Sequence, residues 1–370
     1  MRKTVSRAAC YLAPVLLIAA CPVPATAQPA AAEKIVGGPY TVNVRPQSAT
    51  VMWLVQTGEA TLGFEPGTRD RSVPLLRAEK AAFVRLDRGR TYYYQAFPGE
   101  AGKGSFKTPP SGEARFQFVV YGDTRTRDDV HRQVISAILK DAQPDFVIHT
   151  GDLVADANDS SLWPTFFDIE RELLRKVAFF TTLGNHERDS ANYFDFLNAK
   201  PYYSFDWGGA HFAAIDSDIA TAGETQEQRD AFWQEQTRWL EDDLRRAQKA
   251  DFRFVFAHHP PMTAVRIRQG ENPHMAALEP LFEKYKLSAG LFGHDHNYQH
   301  YLKNGIHYFI TGGGGAPLYD VDVPPPGITK LVAKTENFLV VRVEGKMLTV
   351  EARTPAGKIL DSTQLTASNK

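Results

Sequence analysis

Five times in this chain an apolar run of strand length ends on a residue able to ligate a metal or move a proton. Phe116–Tyr121 leads into Gly122-Asp123, Phe146–Thr150 into Gly151-Asp152, and Val177–Leu183 into Gly184-Asn185-His186-Glu187. Phe252–Ala257 leads into His258-His259-Pro260, and Leu287–Phe292 into Gly293-His294-Asp295-His296. Open α/β sheets collect their ligands just beyond the carboxyl ends of the strands. The five endings can therefore converge on one site.

The donors on offer are Asp123, Asp152, Asn185, His258, His294 and His296, which are oxygen and nitrogen with no sulfur. That mixture suits Zn, Mn or Fe better than Ca or Mg, because imidazole is a borderline-soft ligand. His294 and His296 are two apart, so in an extended turn both imidazoles point to one centre. A carboxylate such as Asp152 can bridge two cations and hold them about 3.5–4 Å apart. Such a pair polarises a phosphoryl oxygen and acidifies a bound water. An Asp after a strand is commonly a cap, and a lone core His is commonly structural. The ordered recurrence of all five endings is what turns these residues into a site.

The 370 residues allow two or three domains. A formal net charge of -1 argues against general binding to nucleic acid or anionic membrane, and 43% hydrophobic with 23% charged residues describes a globular chain. Arg2, Lys3 and Arg7 precede an apolar stretch, Ala8 to Ala20, too short for a comfortable membrane span. Ala25-Thr26-Ala27 completes the pattern of a cleaved signal peptide over 1–27. The alternative is a lipoprotein box, Leu17-Ile18-Ala19-Ala20-Cys21, with a lipid anchor on Cys21. Pro22 directly after that cysteine favours cleavage after Ala27. Either route predicts export, to the periplasm or beyond, in the envelope of a Gram-negative bacterium. Cys10 and Cys21 both lie in this segment, so the mature chain has neither disulfide nor thiolate ligand.

Residues 35–110 read as all-β. Ala49, Val51, Trp53 and Val55 would share one strand face with Trp53 as core anchor, and Ala82–Leu86 and Thr91–Gln95 are further strands. An early Trp with the late Tyr92–Tyr94 cluster resembles a fibronectin-III-like sandwich, the tyrosines serving as packing. From Ala114 strands alternate with helices, predicted over Asp129–Lys140, Leu162–Lys176, Glu227–Lys249 and Met275–Tyr285. The third buries Phe232, Trp239, Leu240 and Leu244 and leaves Glu241, Asp242, Asp243, Arg245 and Arg246 to solvent. Strands return at Ile306–Ile310, Phe338–Val343 and Leu348–Ala352. Gly312–Gly315 is either a flexible wall of the site or a tight structural turn.

In their order these motifs resemble the calcineurin-like metallophosphoesterase superfamily. The β region before them, and the Gly-rich loop running into Ala316-Pro317-Leu318-Tyr319, make the chain similar to its purple acid phosphatase branch. The resemblance implies a four-layer α/β/β/α catalytic domain over 114–370 behind the sandwich of 35–110. It implies one or two ions of Fe, Mn or Zn, with Asp152 bridging, Asn185, His258 and His294 on one ion, and Asp123 and His296 on the other. His186 would stabilise the transition state or protonate the leaving oxygen, oriented by Glu187. The implied reaction is attack on phosphorus by metal-activated hydroxide. The expected substrate is a small-molecule phosphomonoester, with phosphodiesters (cyclic nucleotides, glycerophosphodiesters) second; the further alternative is that the chain is itself a degenerate surface-binding protein.

One departure stands out. The Tyr ligand of the purple branch falls on Ala155, and the His ligand of other branches falls on Arg125. The phenolate colour should be absent and the first metal position weakened. Arg125 cannot ligate. Its fork fits a phosphate oxygen, and the readings are a substrate clamp, an electrostatic stand-in for the missing cation, or a structural salt bridge. His149 is expected to be a buried hydrogen-bonded histidine. His259 either contacts substrate or caps its loop, and Tyr298 and His300 are candidate pocket walls.

Overall fold

The computed structural model describes residues 33–112 and 114–367. The expected targeting segment over 1–27 lies outside the described residues. Five strands come first: β1 (Lys34–Arg45), β2 (Ser48–Leu62), β3 (Arg71–Val84), β4 (Thr91–Gln95) and β5 (Lys103–Lys107). There follow β6 (Phe116–Tyr121), α1 (Asp128–Asp141), β7 (Phe146–His149), α2 (Trp163–Leu174), β8 (Ala178–Thr181) and α3 (Ala191–Leu197). A second group comprises β9 (Tyr203–Trp207), β10 (Ala210–Ala214), α4 (Gln226–Arg246), β11 (Phe252–Phe256), α5 (Pro273–Ala276), α6 (Glu279–Lys284) and β12 (Ala289–Phe292). The chain closes with β13 (Tyr298–Lys303), β14 (Ile306–Thr311), β15 (Thr329–Ala333), β16 (Phe338–Glu344), β17 (Met347–Arg353) and β18 (Ile359–Thr366).

Two sheets result, nine strands in the order β18-β17-β16-β6-β7-β8-β1-β2-β3 and seven in the order β15-β13-β14-β12-β11-β10-β9. Period-two alternation assigns each strand face to a layer. On β6, Phe116, Phe118 and Val120 enter the core between the sheets, while Val119 and Tyr121 pack with residues of α1 and α2. On β11, Phe252, Phe254 and Phe256 face the same core and Val255 joins the layer under α4 and α6. Both faces of these strands are covered, which is why their sequences are continuous apolar runs. Aromatic rings fill the inter-sheet space: Phe180 stacks on Phe205, Phe205 on Phe212, and Phe118 meets Phe212 edge-on. The layering is the α/β/β/α arrangement that the resemblance implies.

The fibronectin-III-like sandwich expected over 35–110 does not form as a unit of its own. Its strands exist, but β1 pairs in parallel with β8, so β1, β2 and β3 extend the nine-stranded sheet, and only β4 and β5 form a separate ribbon. The physical reason is that both faces of β1 and β2 are apolar. Val44, Ala49 and Val51 join the inter-sheet core, and Tyr40, Val42, Met52 and Leu54 join the helix-side core. Trp53 is only half-buried, against Phe97, and is not the anchor.

The bounds of the predicted helices hold with one exception, and α3 was not predicted. Met275–Tyr285 is split into α5 and α6, because Pro280 lacks the N–H an interior turn needs and is accepted only in a first turn. On α4, Leu240 and Leu244 are buried as predicted and Phe232 and Trp239 half so. Asp243, assigned to the solvated face, is buried instead, accepting from His211 Nε2 at 2.8 Å and from Ser204 Oγ at 2.9 Å. His211 is held on its other side by Asp206 at 2.8 Å. Burial alone would lower the His211 pKa; the hydrogen bonds to Asp206 and Asp243 outweigh it and raise it from 6.5 to about 9. The charged pairing therefore stabilises the fold fully below pH 6.5 and is lost as pH rises through 9. His211→Gln should cost on the order of 2 kcal/mol near pH 6, and the deficit should close by pH 10, in denaturant titrations run across that range.

Candidate metal centre

The registers Tyr121↔His149, His149↔Thr181 and Phe256↔Leu291 bring the parallel strands of both sheets to level carboxyl ends. Sharp turns follow. Asp123, Asp152 and His294 have φ of 57°, 57° and 68°, in the left-handed region that side-chain-bearing residues avoid. Loop-to-loop bonds fix these turns: Asp123 N donates to Gly151 O, Thr124 N to Asp152 O, and Gly293 N to His258 O. Gly312–Gly315 is the tight structural turn of the two readings. Gly314 N donates to Gly122 O, and a Cβ at Gly314 would stand 2.2 Å from that oxygen.

Glu187 fastens the third turn to the second. Its buried carboxyl accepts from Leu153 N at 2.9 Å, Asp152 N at 2.8 Å and Gly184 N at 2.6 Å. Burial and the charge of Asp152 push it up to about 8, against the backbone donors. The expectation that Glu187 orients His186 is thus corrected. The Ala155 carbonyl holds His186 Nδ1 at 2.5 Å, and the His186 N–H donates to Asp152 Oδ1 at 3.0 Å. Gly184 is required by proximity, since a Cβ there would lie 2.3 Å from Asp152 Oδ1.

The six expected donors gather in two groups sharing Asp152. Asn185 Oδ1 lies 3.1 Å from both His258 Nε2 and His294 Nδ1, which are 3.2 Å apart, and Asp152 Oδ1 is 3.4 Å from His258 Nε2. His258 Nδ1 is 2.8 Å from Thr150 O, which orients Nε2 inward. Asp123, Asp152 and His296 form the second group, with Asp123 Oδ1 at 3.4 Å from His296 Nε2. His296 Nδ1 is 2.7 Å from Pro317 O, and its ring stacks on Tyr319. A metal fits this donor set. Nitrogen and oxygen donors converge at 3.1–3.4 Å, and Asp123 Oδ1 is buried without a hydrogen-bond partner, 3.4 Å from His296 Nε2. Burial opposes ionisation of Asp152, yet His258, His186 and Arg125 hold its pKa well below the usual carboxylate range.

Arg125 lies inside this arrangement. Its Nε donates to Asp152 Oδ2 at 3.0 Å, and a terminal nitrogen is 3.4 Å from His296 Nε2. His259 is buried beside the ligand set, its ring 4.1 Å from that of His294, with Nδ1 on Ser217 Oγ at 2.9 Å. Tyr298 is corrected: it is fully buried in the inter-sheet core with its hydroxyl on Asp361, away from any substrate. His300 is likewise no pocket wall, since it bridges Asp361 and His307. His149 is buried with Nε2 3.0 Å from Thr124 Oγ1, as expected.

Sequence reasoning missed Arg268. Its guanidinium reaches His294 Nε2 and donates to Glu271 and to the Tyr319 hydroxyl. Nothing in the irregular stretch after Pro261 marks it; only Tyr319 lay in a quoted motif.

Known proteins resemble this chain in sequence and in fold. The family model for calcineurin-like phosphoesterase matches residues 116–298. Purple acid phosphatase 21 of Arabidopsis thaliana is 28% identical over 57% of this chain and 50% of its own length. Human tartrate-resistant acid phosphatase type 5 is 26% identical over 60% of this chain and 79% of its own length. The chain spans about half the length of the plant relatives it matches. In fold, a purple acid phosphatase from yellow lupin seeds superposes with a TM-score of 0.69 at 19% identity, covering 89% of this chain and 74% of that one.

Glu187→Gln places an N–H₂ against the one backbone donor on Oε1 or the two on Oε2. It should destabilise the fold by about 1–3 kcal/mol in thermal or denaturant unfolding and weaken metal retention on dialysis.

Proposed function

We infer that this chain, which belongs to the calcineurin-like phosphoesterase family, is an exported metal-dependent phosphatase acting on small-molecule phosphomonoesters. What supports this above all is the convergence of Asn185 Oδ1, His258 Nε2 and His294 Nδ1 beside Asp152. Asn185, His258, His294 and Asp152 would hold one cation, and Asp123, Asp152 and His296 face a second position. A cation in this setting supplies Lewis acidity toward a phosphoryl oxygen and acidifies a water.

His186 is the proton donor. Its side chain is 22% exposed on the open side, with Nε2 3.9 Å from Asp152 Oδ2. With Nδ1 held by the Ala155 carbonyl, the Nε2 proton of the imidazolium is free to pass to the leaving oxygen. Arg125 and Arg268 bring two guanidinium groups to the ligand set, which favours a dianionic monoester over a monoanionic diester. The basic and apolar N-terminal stretch and its Ala25-Thr26-Ala27 sequence support export. Among the described residues no helix is long and apolar enough to cross a membrane.

The test is to purify the chain without chelator and assay p-nitrophenyl phosphate beside bis-p-nitrophenyl phosphate. Metal-dependent monoester turnover, abolished in Asp152→Ala, is expected; preferred diester cleavage would overturn the monoester assignment, and absence of both metal and turnover would overturn the enzyme. His186→Ala should lower kcat for an alkyl phosphate by about 10²-fold or more, and by much less for p-nitrophenyl phosphate, whose leaving group needs no proton.

A further inference from the structure

The two halves of the ligand set are unequal, and the inequality is built from this chain's own charges. One half has four protein donors, Asn185, His258, His294 and Asp152; the other has three, Asp123, Asp152 and His296. The three-donor half also holds a cation already. The Arg125 side chain is 14% exposed, its Nε bonds to Asp152 Oδ2 at 3.0 Å, and its terminal nitrogen stands 3.4 Å from His296 Nε2. A guanidinium cannot ligate and keeps its charge at any ordinary pH. It takes up the shared carboxylate from the side a second metal would use, and it repels a dication placed there. The Ala155 side chain offers no donor to that position, and its carbonyl turns toward His186.

We propose that this chain works with one tightly held metal ion, on Asn185, His258, His294 and Asp152, and that Arg125 is the resident second positive charge at Asp123, Asp152 and His296. The proposal rests on the phosphoesterase reading and assigns its metal stoichiometry. A unit charge about 4 Å away in a half-buried setting weakens binding of a second dication by at least about a hundredfold. Asp123 Oδ1, which has no hydrogen-bond partner, then marks a weak position that fills only at high metal concentration.

The test is metal counting and electron paramagnetic resonance on the full chain reconstituted with Mn²⁺ and desalted. Wild type should retain about one Mn²⁺ and show the six-line spectrum of an isolated ion. Arg125→Ala should retain more, and Arg125→His, which restores a ligand type, should retain about two with an exchange-coupled spectrum; Arg125→Lys, still cationic, should stay at one. Thermal unfolding confirms that each variant is folded, and the wild-type count decides even if one is not. Two tightly held ions in wild type with phosphatase turnover would overturn this proposal and leave the phosphoesterase reading intact. Folded Arg125→Ala and Arg125→His that stay at one ion would also overturn it. Retention of no ion, with no turnover, would overturn both.

Discussion

Three carboxyl groups, Asp123, Asp152 and Glu187, are buried within one edge of this protein, and a buried carboxylate without compensation costs several kcal/mol. Most of the local structure is the means of compensation. Glu187 is met by backbone N–H groups of two turns, Asp152 by the His186 N–H and the Arg125 guanidinium, and Asp123 Oδ2 by the His294 N–H. Each solution requires backbone to approach backbone closely and three non-glycine residues to sit at positive φ. The loops are therefore fixed by the protein's own bonds, and the donor atoms of Asn185, His258 and His294 are left facing one another.

Much of this was legible in the sequence because strand burial and site chemistry leave separate marks. Runs such as Phe116–Tyr121 and Phe252–Ala257 show double-sided burial, and the residues after them show donors, so the layer order and the six converging side chains could be read together. Tertiary choices were not legible. Whether β1–β3 pair with each other alone or also with β8 depends on a partner more than a hundred residues away. A sandwich strand and a sheet-edge strand have the same alternation. Asp243 looked like one of five charges on a helix face because its counterpart, His211, lies on a neighbouring strand. Glu187 sits beside His186 in sequence, but the turn sends their side chains apart, one into the core and one to the opening. Tyr298 follows the last ligands directly, and strand alternation carries it into the core between the sheets.

Arg125 and Ala155 stand where the resemblance implies ligands, and here the Ala155 carbonyl holds His186 while the Arg125 guanidinium places a positive charge beside Asp152. Asn185, His258 and His294 converge independently of both positions, with His258 oriented by the Thr150 carbonyl; the fourth donor, Asp152, is the one that Arg125 touches.

The parallel pairing of β1 with β8 also bears on how the chain finds its fold. Thr41 meets Ala178 across more than 130 residues, one of the longest-range pairings in the nine-stranded sheet. Loop closure over such a distance is entropically slow, and sheets dominated by distant partners fold slowly. As the polypeptide emerges N-terminus first, β1, β2 and β3 can pair as a meander, but one edge of β1 and two apolar faces stay uncovered until α2 and β8 arrive. During that interval the unpaired edge of β1 and the bare apolar faces of the N-terminal third are open to adhesion.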